Sequence, residues 1–266
     1  GSETIAKAIK NARKDNQVKA IVLRVDSPGG SALASDIIWR EIDRTVHGEN
    51  RKPVIVSMSD VAASGGYYIS MAADSILVNQ GTLTGSIGVI AGTFNLSELF
   101  RNIGINITTI KRGENADFLN PAEELREEDR EKLRELVYDT YDQFVHKVAE
   151  GRQLPIDTVQ SIAEGRIYSG EDAIDVGLAD AIGGIERAII TAKHAAKIPS
   201  DEEVNLVYLP EYSMKLSEIF GSPRITAEQL DLPREIIKVL EQVDKTKLLA
   251  NEQVLFLLPY TLVMED

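Results

Sequence analysis

Residues 53–66 read Pro-Val-Ile-Val-Ser-Met-Ser-Asp-Val-Ala-Ala-Ser-Gly-Gly. Pro53 to Met58 is a short apolar run rich in β-branched residues, which predicts a buried strand. A helix-compatible run, Tyr67 to Ala73, follows it. Ser64 stands at the junction. A serine between a strand and a helix N-terminus can present its hydroxyl to a substrate. The N–H groups and positive end of that helix favour a developing negative charge. The segment is not a GxSxG elbow, because position 62 is Ala. Small residues around Ser64 also have a bland reading: they let a helix pack close to a sheet.

Upstream, Ile5, Ile9 and Ala12 share one helical face, so residues 3–14 read as an amphipathic helix. Lys19 to Val25 (KAIVLRV) fits a strand buried on both faces, as in parallel sheets. Asp26-Ser-Pro-Gly-Gly30 is a turn signal, and Ser31 to His47 reads as a helix. Downstream, Ser75 to Val78 and Asn106 to Ile110 read as strands, with a glycine-containing apolar run, Thr82 to Ala91, between them. Strand and helix alternate across the first 110 residues, the pattern of a parallel α/β fold. A long helix is expected over Pro121–Glu150. Shorter helices follow over Pro155–Ala163 and Gly170–Val176, then a strand, Leu178–Ile182, and a helix, Ile185–Lys197. Residues 1–199 are expected to form the main domain. Residues 200–266, with a strand at Asn205–Leu209 and helical pieces over Pro233–Leu249, are expected to form a C-terminal extension.

Composition narrows the function classes. The 266 residues carry 29 Lys and Arg against 42 Asp and Glu, a net charge of −13, which argues against nucleic acid as a main partner. There is no cysteine, so disulfides and thiolate metal sites are excluded. No metal site and no cofactor is expected. No stretch reads as a bilayer span; the apolar tail Val254 to Met264 is too short and contains Pro259.

Three glycine-rich segments carry the candidate chemistry. In Asp26–Gly30, Gly29 and Gly30 lack a Cβ, so backbone N–H groups there can approach a substrate carbonyl oxygen as an oxyanion hole; an ordinary βα turn is the plain alternative. The segment is not a phosphate loop, since neither GKS/GKT nor GxGxxG occurs. Ala62–Gly66 supplies Ser64. Thr84-Gly-Ser86-Ile-Gly88 supplies a second hydroxyl, Ser86, which can bond a catalytic group or simply satisfy a turn. In an open parallel sheet such turns lie at the carboxyl ends of strands, where sites form. The usual histidine partner of a serine is missing from every motif. His47, His146 and His194 fall in or at the ends of helices, among charged neighbours.

Taken in order, VKAIVLRVDSPGG, KPVIVSMSDVAASGGYYIS, TLTGSIGV and GRIYSGEDAIDVGLADAIG resemble the signal peptide peptidase A (SppA) family over residues 3–197. That resemblance implies a Clp protease/crotonase-like α/β fold of repeated β-β-α units around a parallel sheet. It implies a serine peptidase with a lysine general base and no histidine. Carried over by motif, Ser64 is the nucleophile, Gly29, Gly30 and the amide of Gly65 form the oxyanion hole, and Ser86 orients the lysine. The lysine itself departs from the pattern. Short members carry it just before the stretch that here reads ADFLNP, and the matching position is Ala116, so an engineered Lys-to-Ala change there is one alternative; Lys111, five residues earlier, is a displaced candidate and a further one. Long members split the dyad between two homologous halves. The resemblance to a C-terminal half implies an upstream half that supplies the lysine and a membrane anchor, with this portion itself soluble.

The same resemblance implies peptide substrates, cleaved signal peptides among them, a homo-oligomeric ring, and a place at the extracytoplasmic face of a bacterial cytoplasmic membrane. Two rival readings are kept. A crotonase-type enzyme acting on acyl-CoA thioesters would use the same oxyanion hole without a serine nucleophile. A non-catalytic assembly half would keep the small-residue turns for packing alone.

Overall fold

In the computed structural model, residues 1–210 and 254–257 are described. The expected helix at the start is α1 (Ser2–Lys14), with Ala6, Ile9 and Ala12 on its buried face. β1 (Ile21–Ser27) follows, then a short strand, β2 (Gly29–Ser31), and α2 (Ala32–His47). The Ser31 hydroxyl caps α2 by accepting from the Ala34 N–H at 3.2 Å. Lys52 is buried, and its ammonium donates to the Ala12 and Asp15 carbonyls at the end of α1.

β3 (Val54–Ala63) is the spine of the sheet and runs five residues beyond Met58, up to the Ser64 turn. β1 pairs parallel with one edge of β3 from Ile21↔Val54 to Ser27↔Ala62. β4 (Ser75–Val78) and β5 (Leu83–Gly85) both pair parallel with β3, at Ile55–Ser57 and at Val61–Ala63 respectively. β7 (Ile167–Tyr168) adds antiparallel to β5, and β8 (Ala181–Ile182) adds parallel to β4. The sheet is thus a mixed, mainly parallel α/β sheet, as expected. Strand alternation sorts its side chains onto two faces. Val54, Val56, Met58, Ile76 and Val78 enter the main core. Ile55 and Leu77 enter a smaller one with Ala188 and Ala192 of α8 (Ile185–Ala195). This two-sided burial is why strands here read as unbroken apolar runs.

After Ser64, α3 (Gly65–Tyr68) is a single helical turn followed by further turns, shorter than the expected Tyr67–Ala73 helix. β6 (Ile90–Ala91) and α4 (Ser97–Asn102) follow β5. The long helix α5 starts later than expected, at Glu127–Arg152, because Pro121 and the polar residues around it sit in turns. α6 (Ile156–Ile162) and α7 (Gly170–Asp175) match expectation.

Two expected strands are not strands. Asn106–Ile110 takes no regular structure and joins no ladder among the described residues, with Ile110 95% exposed. Asn205–Leu209 is likewise outside any ladder. β-branched sequence makes a strand only where a partner edge is on hand. The expected helical pieces over Pro233–Leu249 lie outside the described residues. Within the tail, β9 (Val254–Leu257) forms a second sheet with β2 and β6, in the order β2-β9-β6. No helix among the described residues is long and apolar enough to cross a membrane.

Phe144 of α5 is fully buried in the main core and packs on Tyr68, with ring centroids 4.8 Å apart. Phe144→Ala is expected to destabilise the chain by about 3–5 kcal/mol. A denaturant titration should show a lower midpoint with an unchanged slope.

Candidate active site

The site begins where β3 ends. Ser64 has φ 52° and ψ −111°, a conformation strained for any residue but glycine. Its N–H donates to the Gly85 carbonyl at 2.8 Å and its carbonyl accepts from the Tyr68 N–H at 2.8 Å. The sharp strand-to-helix turn is therefore held at both ends. The side chain is buried, and Ser64 Oγ has no hydrogen-bond partner among the described residues. A buried hydroxyl without a partner costs roughly 1–3 kcal/mol. Nearly all such groups in folded proteins are paired, so this one calls for an explanation.

Gly65 and Gly66 press this turn against the Ser27–Gly30 turn. A Cβ at Gly66 would lie 2.5 Å from the Ser27 carbonyl oxygen. One at Gly65 would lie 2.7 Å from Ser35 Oγ and 3.2 Å from both Gly29 Cα and the Gly30 nitrogen. Gly29 and Gly30 have φ of 116° and 154°, open to glycine and strained for other residues. The three glycines expected to form an oxyanion hole, Gly29, Gly30 and Gly65, are thus brought into contact beside Ser64.

Ser86 arrives on the neighbouring strand. Ala63 pairs with Gly85, so Ser64 and Ser86 leave adjacent strands one residue past the same rung. Ser86 is buried with φ 49°, and its N–H donates to the Arg166 carbonyl at 2.7 Å. A Cβ at Gly85 would lie 2.8 Å from Tyr168 Cδ2, so β7 holds this turn closely.

Two tyrosines staple α3 beneath Ser64. Tyr67 donates its hydroxyl to the Leu178 carbonyl at 3.1 Å, and burial pushes its pKa well up. The Tyr68 hydroxyl donates to Asp36 Oδ1 at 2.8 Å and accepts from Lys147 Nζ at 2.7 Å. Burial first, and then the Asp36 hydrogen bond, raise its pKa. Lys147 also pairs with Asp36 and lies 3.8 Å from the Trp39 ring centroid. This network ties α2, α3 and α5 together. The sequence motifs gave no sign of it.

Among the described residues no candidate base bonds Ser64. His47 bonds Asp43, His146 bonds the Asp142 carbonyl and His194 bonds Ser200, each on an exposed helix surface. Burial lowers the pKa of Lys52, yet its ammonium is given to the α1 carbonyls. Lys111 is exposed and bonds Asp117 Oδ2 at 2.7 Å and the Glu114 carbonyl at 3.3 Å. Ala116 lies in the same exposed turn. Arg126 completes the cluster by pairing with Asp117 and Asp129.

Comparison with known proteins gives the family. The model of peptidase family S49 matches residues 47–199. This chain belongs to peptidase family S49. The matched span holds Ser64, Gly65, Ser86 and Lys111. A chloroplastic serine protease SPPA of Arabidopsis thaliana is 41% identical over 247 residues, covering 92% of this chain and 36% of the relative. A relative in Methanocaldococcus jannaschii, named as a protease, is 38% identical and covers 74% of this chain and 62% of its own length. A chain of Enterococcus faecium named for signal peptide peptidase SppA is 37% identical and covers 71% and 55%. The S49 chain described here therefore spans between about a third and three-fifths of these three relatives.

Gly66→Ala is expected to push the two turns of the S49 site apart and to destabilise the chain by roughly 1–3 kcal/mol. Gly81→Ala, where a Cβ meets open space, should leave stability within about 0.5 kcal/mol. Thermal unfolding of both variants checks this.

The cluster around Lys111 has its own pH signature. Lys111 holds the Asp117 carboxyl below the usual carboxylate range, mainly through its hydrogen bond, and Arg126 does the same for Asp129. Both folded-state pKa values are depressed, so this stabilisation is present above the ordinary aspartate value of 3.8 and is lost as pH falls through the depressed values. Protection factors of the amides over residues 111–129, taken against the intrinsic rate at each pH, should hold down to about pH 4 and fall below it. In Lys111→Gln the fall should begin at higher pH.

Proposed function

We propose that this chain is the nucleophile-bearing part of a serine peptidase that works by a serine–lysine dyad, with the lysine supplied from outside the chain. The observation that carries the reading is Ser64 itself: a strained, buried hydroxyl with no hydrogen-bond partner among the described residues, set against Gly29, Gly30 and Gly65. A hydroxyl that only packed a turn would find a local acceptor. One held ready for a base and a carbonyl carbon would stay open. The same feature favours covalent catalysis over the crotonase-type alternative, which needs no serine there.

In the reaction, a neutral lysine accepts the Ser64 proton as Oγ attacks the substrate carbonyl carbon. Backbone N–H groups of the glycine turns take the developing oxyanion. The protonated lysine then gives its proton to the leaving amine. Water, activated by the same lysine, hydrolyses the acyl-serine and regenerates the hydroxyl. A lysine can be neutral at working pH only where burial disfavours its ammonium. Neither exposed Lys111, paired with Asp117, nor Lys52, capping α1, meets both demands of neutrality and reach. Ser86, which leaves the neighbouring strand one residue past the same rung as Ser64, is the residue that would orient the incoming lysine.

The substrates proposed are short apolar peptides, cleaved signal peptides among them. The Enterococcus faecium relative carries that substrate in its name. A homologous upstream half is the proposed source of the lysine. An oligomeric ring close to a membrane is the proposed setting, with the assembly held there by a segment outside these residues.

Ser64→Ala, assayed with the lysine-bearing half present, should lower peptide hydrolysis by roughly a thousand-fold or more. It should also abolish labelling by a fluorophosphonate. Lys111→Ala should change neither. Efficient hydrolysis by the isolated chain that survives Lys111→Ala would sink the external-lysine reading. Unchanged hydrolysis in Ser64→Ala would sink the nucleophile assignment.

A further inference from the structure

α3 is one turn long, and a lone helical turn has no stability of its own. Yet it carries the far side of the Ser64 turn. Two helices distant in sequence close on one of its side chains, Tyr68. α2 gives Asp36 and Trp39, and α5 gives Phe144 and Lys147. Each pair is spaced i, i+3, so its members share a helix face. From each helix one ring meets the Tyr68 ring, Trp39 edge-on at 6.2 Å and Phe144 at 4.8 Å between centroids. From each helix one charged group meets the Tyr68 hydroxyl, Asp36 Oδ1 at 2.8 Å and Lys147 Nζ at 2.7 Å.

We propose that this clamp aims the oxyanion hole: Tyr68, locked by Asp36 and Lys147, sets the direction in which the Gly65 N–H meets the substrate carbonyl oxygen. The proposal rests on the reading of Ser64 as nucleophile. It adds three positioning residues that act on the reaction through the backbone alone.

The link is the peptide unit between Ser64 and Gly65. That unit is trans and planar, so its C=O and N–H point in opposite directions. The Ser64 carbonyl accepts from the Tyr68 N–H at 2.8 Å. Whatever fixes Tyr68 therefore fixes this carbonyl, and with it the Gly65 N–H. Gly65 opens α3, so its N–H leaves the start of the helix, where no carbonyl one turn behind can take it. The following bond repeats the tie, since the Ile69 N–H donates to the Gly65 carbonyl at 3.2 Å.

Strain is the second reason for a clamp. Ser64, at φ 52° and ψ −111°, relaxes unless its neighbours prevent it. β5 holds its N–H side through the Gly85 carbonyl, and α3 holds its carbonyl side. The contacts on Tyr68 suit that task. Burial first, and then the Asp36 bond, keep the phenol protonated, so it stays a donor to Asp36 while accepting from Lys147. Both bonds involve a charged partner and are the stronger for it. An oxyanion-hole donor acts on charge that develops in the transition state. Turning one aside slows the chemical step and leaves ground-state binding in place.

Kinetics of the assembled enzyme, with the lysine-bearing half present, test this on a fluorogenic peptide. Tyr68→Phe keeps the ring and loses both hydroxyl bonds. Its kcat should fall about tenfold, less than the loss of a whole donor, with KM within about twofold. Lys147→Met should also lose kcat. The double variant should be no slower than Tyr68→Phe, because Lys147 acts through that hydroxyl. The number of sites titrated by a fluorophosphonate should stay constant, so that the loss is one of rate per site. Ile9→Val, on the buried face of α1, is the stability control: it should lower the melting temperature and leave kcat unchanged. By NMR of this chain, the Gly65 amide resonance should move in both Tyr68→Phe and Lys147→Met. The proposal is overturned by a loss confined to KM, by a loss that only tracks the number of titrated sites, or by an equal loss in Ile9→Val. Losses that multiply in the double variant, or a Gly65 amide that stays in place, overturn it too. Failure of fluorophosphonate to label the unaltered assembled enzyme would instead count against the nucleophile reading, and the Gly65 resonance would still decide whether the clamp aims that amide.

Discussion

Everything in the site depends on one close approach, that of the Gly65–Gly66 backbone to the Ser27–Gly30 turn. Room for a single Cβ is lacking at both glycines. The approach brings two separate strand ends to one point, so that a hydroxyl from β3 and backbone groups from the β1–β2 turn can serve one carbonyl. Nothing softer than backbone packing would hold donors and nucleophile to the few tenths of an ångström that charge stabilisation in a transition state demands.

The rest of the fold keeps that approach in place. β3 has β1 along one edge and β4 and β5 on its other pairings, so its end cannot shift without breaking ladders on both sides. α3 is too short for a sizeable helix dipole; what it offers is geometry, through the Ser64–Tyr68 backbone bond and the hydroxyls of Tyr67 and Tyr68. The Asp36–Tyr68–Lys147 network then couples the nucleophile turn to two long helices. A strained backbone at Ser64 and Ser86 is sustained because its surroundings determine it from several directions at once.

Much of this was legible in the residues. Apolar β-branched runs marked β1, β3 and β4, since strands buried on both faces need no alternation. Glycines marked the turns, since only they permit such contacts. That Ser64, Ser86, Gly29, Gly30 and Gly65 sit in neighbouring turns at strand ends followed from those glycine-rich segments. What was not legible depended on partners distant in sequence. Asn106–Ile110 has strand composition but no edge to join. α5 begins at Glu127 because the turns after Pro121 are held by the Asp117–Arg126–Asp129 ion pairs, which no periodicity reports. The pairing of Val254–Leu257 with Gly29–Ser31 spans more than two hundred residues, and the apolar run by itself was read only as too short for a bilayer span. The positive φ of Ser64 is a property of the turn as a whole, invisible in the letters Ala-Ser-Gly.

The lone hydroxyl of Ser64 has a consequence for the cell that makes this chain. A peptidase faces the hazard of digesting its neighbours, and itself, from the moment it folds. Most solve this with a propeptide that must later be cut away. Where the base has to arrive from another polypeptide segment, folding alone yields a disarmed hydrolase, and correct assembly is the arming step. The safeguard is then written into stoichiometry rather than into an extra domain, and it is renewed whenever the assembly comes apart.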